Sequence, residues 1–198
     1  GHSAGISLTS GIGNVAIGSG SMAANATSDY NTAVGTDALS KLTQDGTAGN
    51  TAVGFQAGDN LTTGTKNVIM GAWAQDKSTD VDKTIAIGYA AMGDDVSTSD
   101  ADGTVAIGYY AANKITSGIG NVAIGSGSLA TEDTGDKNTA VGTAALANQN
   151  RDGTVGNTAL GWHAGHSITT GHQNTFLGIN AGGGATTASG SVLIGYST

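Results

Sequence analysis

A five-residue phrase recurs eleven times along the chain and constrains its fold more than any other feature. It stands as NVAIG (14–18), NTAVG (31–35), NTAVG (50–54), NVIMG (67–71), TIAIG (84–88), TVAIG (104–108), NVAIG (121–125), NTAVG (138–142), NTALG (157–161), NTFLG (174–178) and SVLIG (191–195). The intervals between successive closing glycines are therefore nearly constant. Short, nearly fixed periods predict a stack of equivalent coils, as in a solenoid or a roll. We call the phrase the pentad and number its positions one to five.

The order of the longer and shorter intervals itself repeats. GIGNVAIGSGSMA at 11–23 returns as GIGNVAIGSGSLA at 118–130 with a single substitution. We therefore expect one repeat domain over 11–198, in which the block 11–117 is duplicated as 118–198 and truncated. Residues 1–10 are expected to be a tag scar and a lead-in, since the chain opens with Gly-His-Ser.

The pentad has the pattern of a short strand. Positions two and four are Val, Ile, Leu, Met or Thr and share one face, which we expect to point inward. Position three is Ala in eight copies, so something must lie close to the opposite face; Ile69, Phe176 and Leu193 are the exceptions. Asn at position one predicts a side-chain ladder or a held turn. The invariant Gly predicts a positive φ or a backbone too crowded for a Cβ.

Beyond each pentad, the small residue three places after the Gly is often followed by Met or Leu. This predicts a second short strand, so that a coil is strand, Gly turn, strand and polar loop. Gly-rich sequence without a 3.6-residue apolar period disfavours helices. Eleven coils at ~4.8 Å per step would give a body of roughly 50 Å. Its core would be only one or two side chains thick, which favours association of several chains.

Composition narrows the classes of function. The net charge is −8, with seven Lys and Arg and no basic stripe, which argues against binding to nucleic acid or to an anionic membrane. Absence of Cys excludes disulfides and thiolate metal sites, and no apolar run approaches the ~20 residues of a membrane span. We expect no cofactor and no direct membrane insertion.

The pentads resemble the head repeats of YadA-type trimeric adhesins, which use units of the form NSVAIG, and the NTAVG repeats of phage tail fibres and fibre-like surface proteins. The match runs over roughly 11–198 and includes LTTGTKN (61–67) and SITTGHQN (167–174). The resemblance implies a left-handed parallel β-roll of about eleven coils that forms a homotrimer, intertwined or side by side. The long period of this chain favours the fibre-like branch, because the YadA-type period is shorter.

Catalytic chemistry is not expected. The acids fall in loops, and the Gly-Ser-Gly-Ser stretches at 18–21 and 125–128 lack the context of a nucleophile elbow. His163, His166 and His172 could supply metal ligands near a trimer axis. Surface histidines are the simpler interpretation, since His163 and His166 are expected to point in different directions.

Acidic and aromatic residues form two candidate binding sites. A calcium loop is one candidate, at Asp94, Asp95, Asp100 and Asp102, although the full EF-hand spacing is missing and a solvated acidic loop is favoured. Aromatic residues also gather one or two places after the pentad Gly: Phe55, Trp73, Tyr89, Tyr109, Tyr110, Trp162 and Tyr196. We expect these rings to line one edge of the stack, where they would either bind a glycan or a protein or pack between chains. Packing is the favoured alternative. The longer loops at 40–49, 92–103 and 147–156 are further candidates for binding.

The sequence as a whole predicts a non-enzymatic head or shaft segment of a trimeric extracellular attachment fibre, on a bacterial surface or a virion. It would bind cell-surface glycans or proteins through multivalency. The alternatives are a purely structural spacer and, less favoured, a monomeric ice-binding solenoid, which needs a flat and regular Thr face.

Overall fold

The computed structural model describes residues 1–94, 97 and 101–198. Every pentad forms one three-residue strand, and the eleven strands pair in parallel in chain order to form a single sheet. They are β1 (Val15–Ile17), β3 (Thr32–Val34), β5 (Thr51–Val53), β6 (Val68–Met70), β7 (Ile85–Ile87), β8 (Val105–Ile107), β9 (Val122–Ile124), β11 (Thr139–Val141), β13 (Thr158–Leu160), β14 (Thr175–Leu177) and β15 (Val192–Ile194). The chain is thus an all-β, parallel β-solenoid of about ten turns, which confirms the coarse prediction from the repeat.

The pentads stack position upon position. In the first pair, Val15 lies opposite Thr32 and Ala16 lies opposite Ala33, and the same alignment holds through to β15. A spacing of ~4.8 Å between neighbouring strands makes the ten steps about 48 Å long. The nearly constant period therefore acts as a register device, because each coil places the same residue type over its predecessor.

Four further strands form two small parallel pairs beside the main sheet. β2 (Ser28–Asp29) pairs with β4 (Gly46–Thr47), and β10 (Gly135–Asp136) pairs with β12 (Gly153–Thr154). The second strand of each pair lies in one of the longer units, between the pentads that end at Gly35 and Gly54 or at Gly142 and Gly161. The extra length of these units is therefore accommodated by extended backbone in the loop.

The face of the sheet that points inward is the one with alanine. Position three is fully buried in the nine strands from β3 to β14, whereas positions two and four are partly or largely exposed throughout. The expectation that position two faces inward is wrong. A coil this short is so narrow that the opposite wall approaches the sheet closely, and only the middle residue of a three-residue strand enters this space.

The opposite wall is made by the turn after the pentad, whose small and apolar residues are buried, as at Ala38, Leu39 and Leu42. The interior balances large and small residues between the walls. Where position three is Ala, the turn usually supplies Leu or Met; where it is Phe176, the turns supply glycine. A Cβ on Gly165 would lie 2.6 Å from the Phe176 ring, and a Cβ on Gly182 would also collide with that ring.

The turn after the pentad does not form the predicted second strand in the described coils. Its backbone is left-handed at the second and fourth places after the Gly, as at Asp37 (φ 56°) and Leu39 (φ 50°). Hydrogen bonds still join the coils here: the Asp37 N–H donates to Ser19 O (2.8 Å) and the Leu39 N–H to Ala57 O (3.1 Å). Alternating backbone hands give a tighter corner than a strand would, and this lets a short coil close.

The pentad glycine has both predicted properties, a positive φ and a backbone too crowded for a Cβ. Its φ lies between 126° and 144° in all eleven copies, a region that L-residues rarely adopt. It also packs on the next coil: a Cβ on Gly125 would lie 2.5 Å from the carbonyl carbon of Gly142. A side chain at this position would therefore need both a strained φ and a displaced neighbouring coil.

The asparagine column is also confirmed. The Oδ1 of Asn50 accepts the backbone N–H of Asn67 in the next coil (2.9 Å), while its Nδ2 donates to Gly64 O in its own coil (2.8 Å). Asn157 repeats the arrangement with Asn174 and Gly171. Each of these two side chains thus links two coils and holds the turn that leads into the next strand.

Candidate functional site

Five aromatic side chains form a continuous strip along one edge of the solenoid, which we call the aromatic strip. Phe55 meets Trp73 edge-on at 5.4 Å between ring centroids, and Trp73 meets Tyr89 in the same way at 5.2 Å. Tyr89 stacks on Tyr109 (5.4 Å, 20° between planes) and meets Tyr110 at a steep angle (5.6 Å, 62°). The strip crosses four successive coils, because the coil repeat places the residues that follow each pentad Gly above one another.

Two other aromatic residues of the predicted edge lie apart from the aromatic strip. Trp162 is three coils beyond Tyr109 and stacks instead on His163, which stacks in turn on His166 (ring centroids 3.7 and 4.6 Å). The expectation that the two histidines point in different directions is wrong, since their planes are only 13° apart. Burial and then His163 lower the pKa of His166. Tyr196 is 78% exposed in the last coil.

A cleft of about 220 Å³ opens beside the strip. Its lining comprises Trp73, Asp76, Lys77, Tyr89, Ala90, Gly93, Asp94 and Tyr110. The Nε1–H of Trp73 donates to Gln56 Oε1 (2.7 Å), which fixes the orientation of the indole ring. The volume is below the ~300–1,000 Å³ of a drug-sized ligand site, so the cleft suits a single small group.

Two carboxylates give the cleft its charge. The pKa of Asp76 is raised to about 6, chiefly by burial, against the lowering effect of Lys77, with Asp59 and Asp94 adding to the rise. Its Oδ1 is buried and has no hydrogen-bond partner among the described residues. Asp94 accepts from Asn113 Nδ2 (2.6 Å), and its backbone carbonyl accepts from Lys77 Nζ (2.6 Å). The lysine is therefore held by main chain rather than by either carboxylate.

The proposed calcium loop is not assembled by the residues that the structure describes. Asp95 and Asp100 lie outside the described residues. The Asp102 Oδ1 accepts the backbone N–H of Asp82 (2.7 Å), and Asp94 belongs to the cleft. Within the described ranges, no three His, Cys, Asp or Glu side chains come close enough together to hold a metal ion.

The Gly-Ser-Gly-Ser stretches form turns. Ser21 Oγ donates to Gly18 O (3.1 Å) and Ser128 Oγ donates to Gly125 O (2.9 Å), and both serines are buried. The loops at 40–49 and 147–156 carry β4 and β12. Their hydroxyl and carboxylate groups bond from coil to coil, as between Thr27 and Asp45.

Sequence reasoning missed the second notable surface, which is the outer face of the main sheet. We call it the strand face; it consists of positions two and four of the eleven pentads. Every member is Val, Ile, Leu, Met or Thr, and none is charged. Ile17 is 58% exposed, Leu160 49% and Ile194 62%. The signal was present in the small residue that recurs at position three, which marks the side where space is short.

No family model, curated protein or solved structure matches this chain. Nothing in the described part of the chain forms a helix with the length and hydrophobicity that a bilayer crossing requires.

Proposed function

We propose that this chain is a non-enzymatic segment of an extracellular attachment fibre in which three copies pack through the strand face. The observation that carries the proposal is an uncharged, largely apolar face that continues over all eleven coils. Contiguous exposed apolar patches above a few hundred Å² mark interaction sites in soluble proteins. An equivalent surface on each copy fits a symmetric homo-oligomer.

The strand face is large enough to form most of an interface between copies, but not all of it. A length of about 48 Å and a three-residue width of about 10 Å give a footprint of roughly 500 Å² per chain. A stable interface needs about 800 Å² from each partner. The contact must therefore extend from the strand face onto the row of turns that precedes the strands, because the row that follows them carries the aromatic strip. The trimeric state and the left-handed roll come from the resemblance to YadA-type heads and tail-fibre repeats.

The aromatic strip is the proposed contact with the target surface. Its rings are partly exposed and several carry polar tips, a combination that is enriched at binding interfaces. Three copies of a weak site on one rigid body would gain affinity through effective concentration. A fibre on a bacterial surface or virion would use the solenoid to hold these sites at fixed spacing.

Light scattering on tag-free protein tests the assembly. One chain has a mass of 19.2 kDa, so a trimer would be measured at three times that value. Ile124→Lys, in the middle of the strand face, should dissociate it, while Asn148→Lys, on an exposed loop, should leave the mass unchanged. A folded wild-type monomer at all concentrations would refute the assembly.

Two alternatives are distinguished by further assays. A spacer would trimerise but show no binding to cells or to glycan arrays as an isolated segment. A monomeric ice-binding solenoid gains one supporting observation, because position two points outward and carries Thr in five strands (Thr32, Thr51, Thr139, Thr158 and Thr175). Thermal hysteresis by the monomer would favour it over the fibre.

A further inference from the structure

The cleft beside the aromatic strip combines two kinds of wall. Trp73 and Tyr89 are nearly perpendicular (80°), and Tyr89 and Tyr110 make an angle of 62°. Rings at steep angles to one another present more than one face or edge to a guest. The carboxylates of Asp76 and Asp94 complete the lining of the cleft.

The local charge balance is negative. Lys77 is the one cation among the described residues that line the cleft, and its Nζ is engaged by the Asp94 carbonyl. Asp76 carries a desolvated carboxyl group, one oxygen of which has no partner in the described part of the chain, and Asp59 adds negative charge nearby. A bound cation would stabilise the ionised carboxylates, whereas a bound anion would be repelled.

We propose that this cleft binds an organic ammonium group, with its methyl or methylene groups against Trp73, Tyr89 and Tyr110 and its charge facing Asp76 and Asp94. The ring quadrupoles attract a cation placed over an aromatic face, and more strongly when the cation is desolvated. A choline-type head group has this chemistry, and a cleft of about 220 Å³ suits one such group.

A neutral sugar fits the same cleft less well. Sugar hydroxyls need both donors and acceptors, and buried hydroxyls without partners cost free energy. A neutral sugar would accept from the Lys77 donors that remain, since the Asp94 carbonyl already uses one of them, but it would leave the charge of the two carboxylates uncompensated. An organic ammonium ligand thus refines the role of the aromatic strip, and it rests on the strip being the contact surface proposed above.

The test uses Trp73 as its own reporter. The chain has two tryptophans, so a Trp162→Phe protein leaves Trp73 as the single tryptophan, beside the cleft. Choline and tetramethylammonium should quench or shift its emission saturably. The neutral isostere 3,3-dimethylbutan-1-ol should bind at least tenfold more weakly. Equal binding of the isostere, or binding of neutral monosaccharides without choline, would overturn the proposal.

Charge variants make the test specific. Asp76→Asn should weaken choline binding at least tenfold, while Asp152→Asn, an equal change in charge on a distant exposed loop, should not. An unaltered affinity in Asp76→Asn would refute the role of the carboxylate. Circular dichroism and light scattering on the same proteins report folding and assembly. Intact trimers that bind cells but not choline would contradict only the ligand class, whereas loss of cell binding as well would contradict the contact surface.

Discussion

Replacing Phe176 by Ala should destabilise the solenoid and reveal how its walls share space. Phe176 is fully buried, and its ring occupies the volume beside Gly165 and Gly182. Truncation of a buried Phe to Ala costs about 3–5 kcal/mol, because transfer and cavity terms add. Neither glycine can fill the cavity, so we expect the upper half of this range.

Other coils of the chain suggest a substitution that should compensate for the loss of the Phe176 ring. In several coils with Ala at position three, the turn position equivalent to Gly182 is Leu, as at Leu129 (φ 48°) and Leu146 (φ 50°). The backbone at Gly182 has φ 73°, so a Leu there adopts a conformation that other coils already tolerate. Gly182→Leu alone should destabilise by about 1–3 kcal/mol through overpacking against Phe176. The double variant F176A/G182L should be more stable than F176A alone.

The change in stability of each variant is measured by urea unfolding, with Trp162 fluorescence as the signal. Trp162 reports on the region around residue 176 because it lies in the preceding coil. Midpoints should be compared only where the slopes agree, because a stacked repeat can lose cooperativity. The double-mutant cycle should give a favourable coupling of about 3 kcal/mol, at the upper end for residues in contact. Additive losses would show that the two walls do not share one space and would refute the reasoning.

Three further changes test other features. Burial raises the pKa of Glu132. Its contribution to stability is therefore present below the ordinary pKa near 4.5 and is lost as the pH rises through the raised value. In thermal melts, Glu132→Gln should stabilise the protein by about 1–3 kcal/mol at pH 8 and by little at pH 4. A pH-independent difference would contradict this. In urea unfolding, Gly125→Ala should lower the free energy of unfolding more than Gly195→Ala. Both substitutions strain φ, at about 1–3 kcal/mol, but of the two only Gly125 packs against a following coil that a Cβ would displace. Equal decreases in the two variants would exclude crowding as a cause. Asn138→Ala should cost about 1–3 kcal/mol, since the Asn157 N–H loses its acceptor, and a loss under about 0.5 kcal/mol would argue against the ladder.

The features that sequence predicted well are those that every coil must share. The pentad predicted the strands and their register, because residues separated by one coil must superimpose. Asn at position one and Gly at position five predicted their roles for the same reason: a column tolerates few residue types when each member contacts its own copy above and below. Repetition thus turned one weak local signal into eleven consistent ones.

The turns were predicted less well, because their backbone runs against residue propensities. Leu39, Trp73 and Tyr110 adopt positive φ, which side chains of this size ordinarily avoid. Tertiary context maintains this geometry, since the N–H of each donates to a neighbouring coil. No single-residue preference indicates a turn with left-handed backbone at alternate residues. The alternating small and apolar residues of this segment therefore suggested a second strand.

The inverted assignment of the sheet faces follows from the dimensions of the coil. Larger apolar residues usually point inward because a core offers the space, but so short a coil offers only enough for Ala beside a Leu or Met from the turn. Ala33 and Ala123 therefore point inward, while Ile17 and Ile194 remain outside. Burying those outer residues would contribute about 25 cal/mol per Å², or roughly 12 kcal/mol per chain over the ~500 Å² footprint before the entropic cost of association. The narrowness that excludes large side chains from the interior is thus also the physical reason to expect a second copy against the strand face.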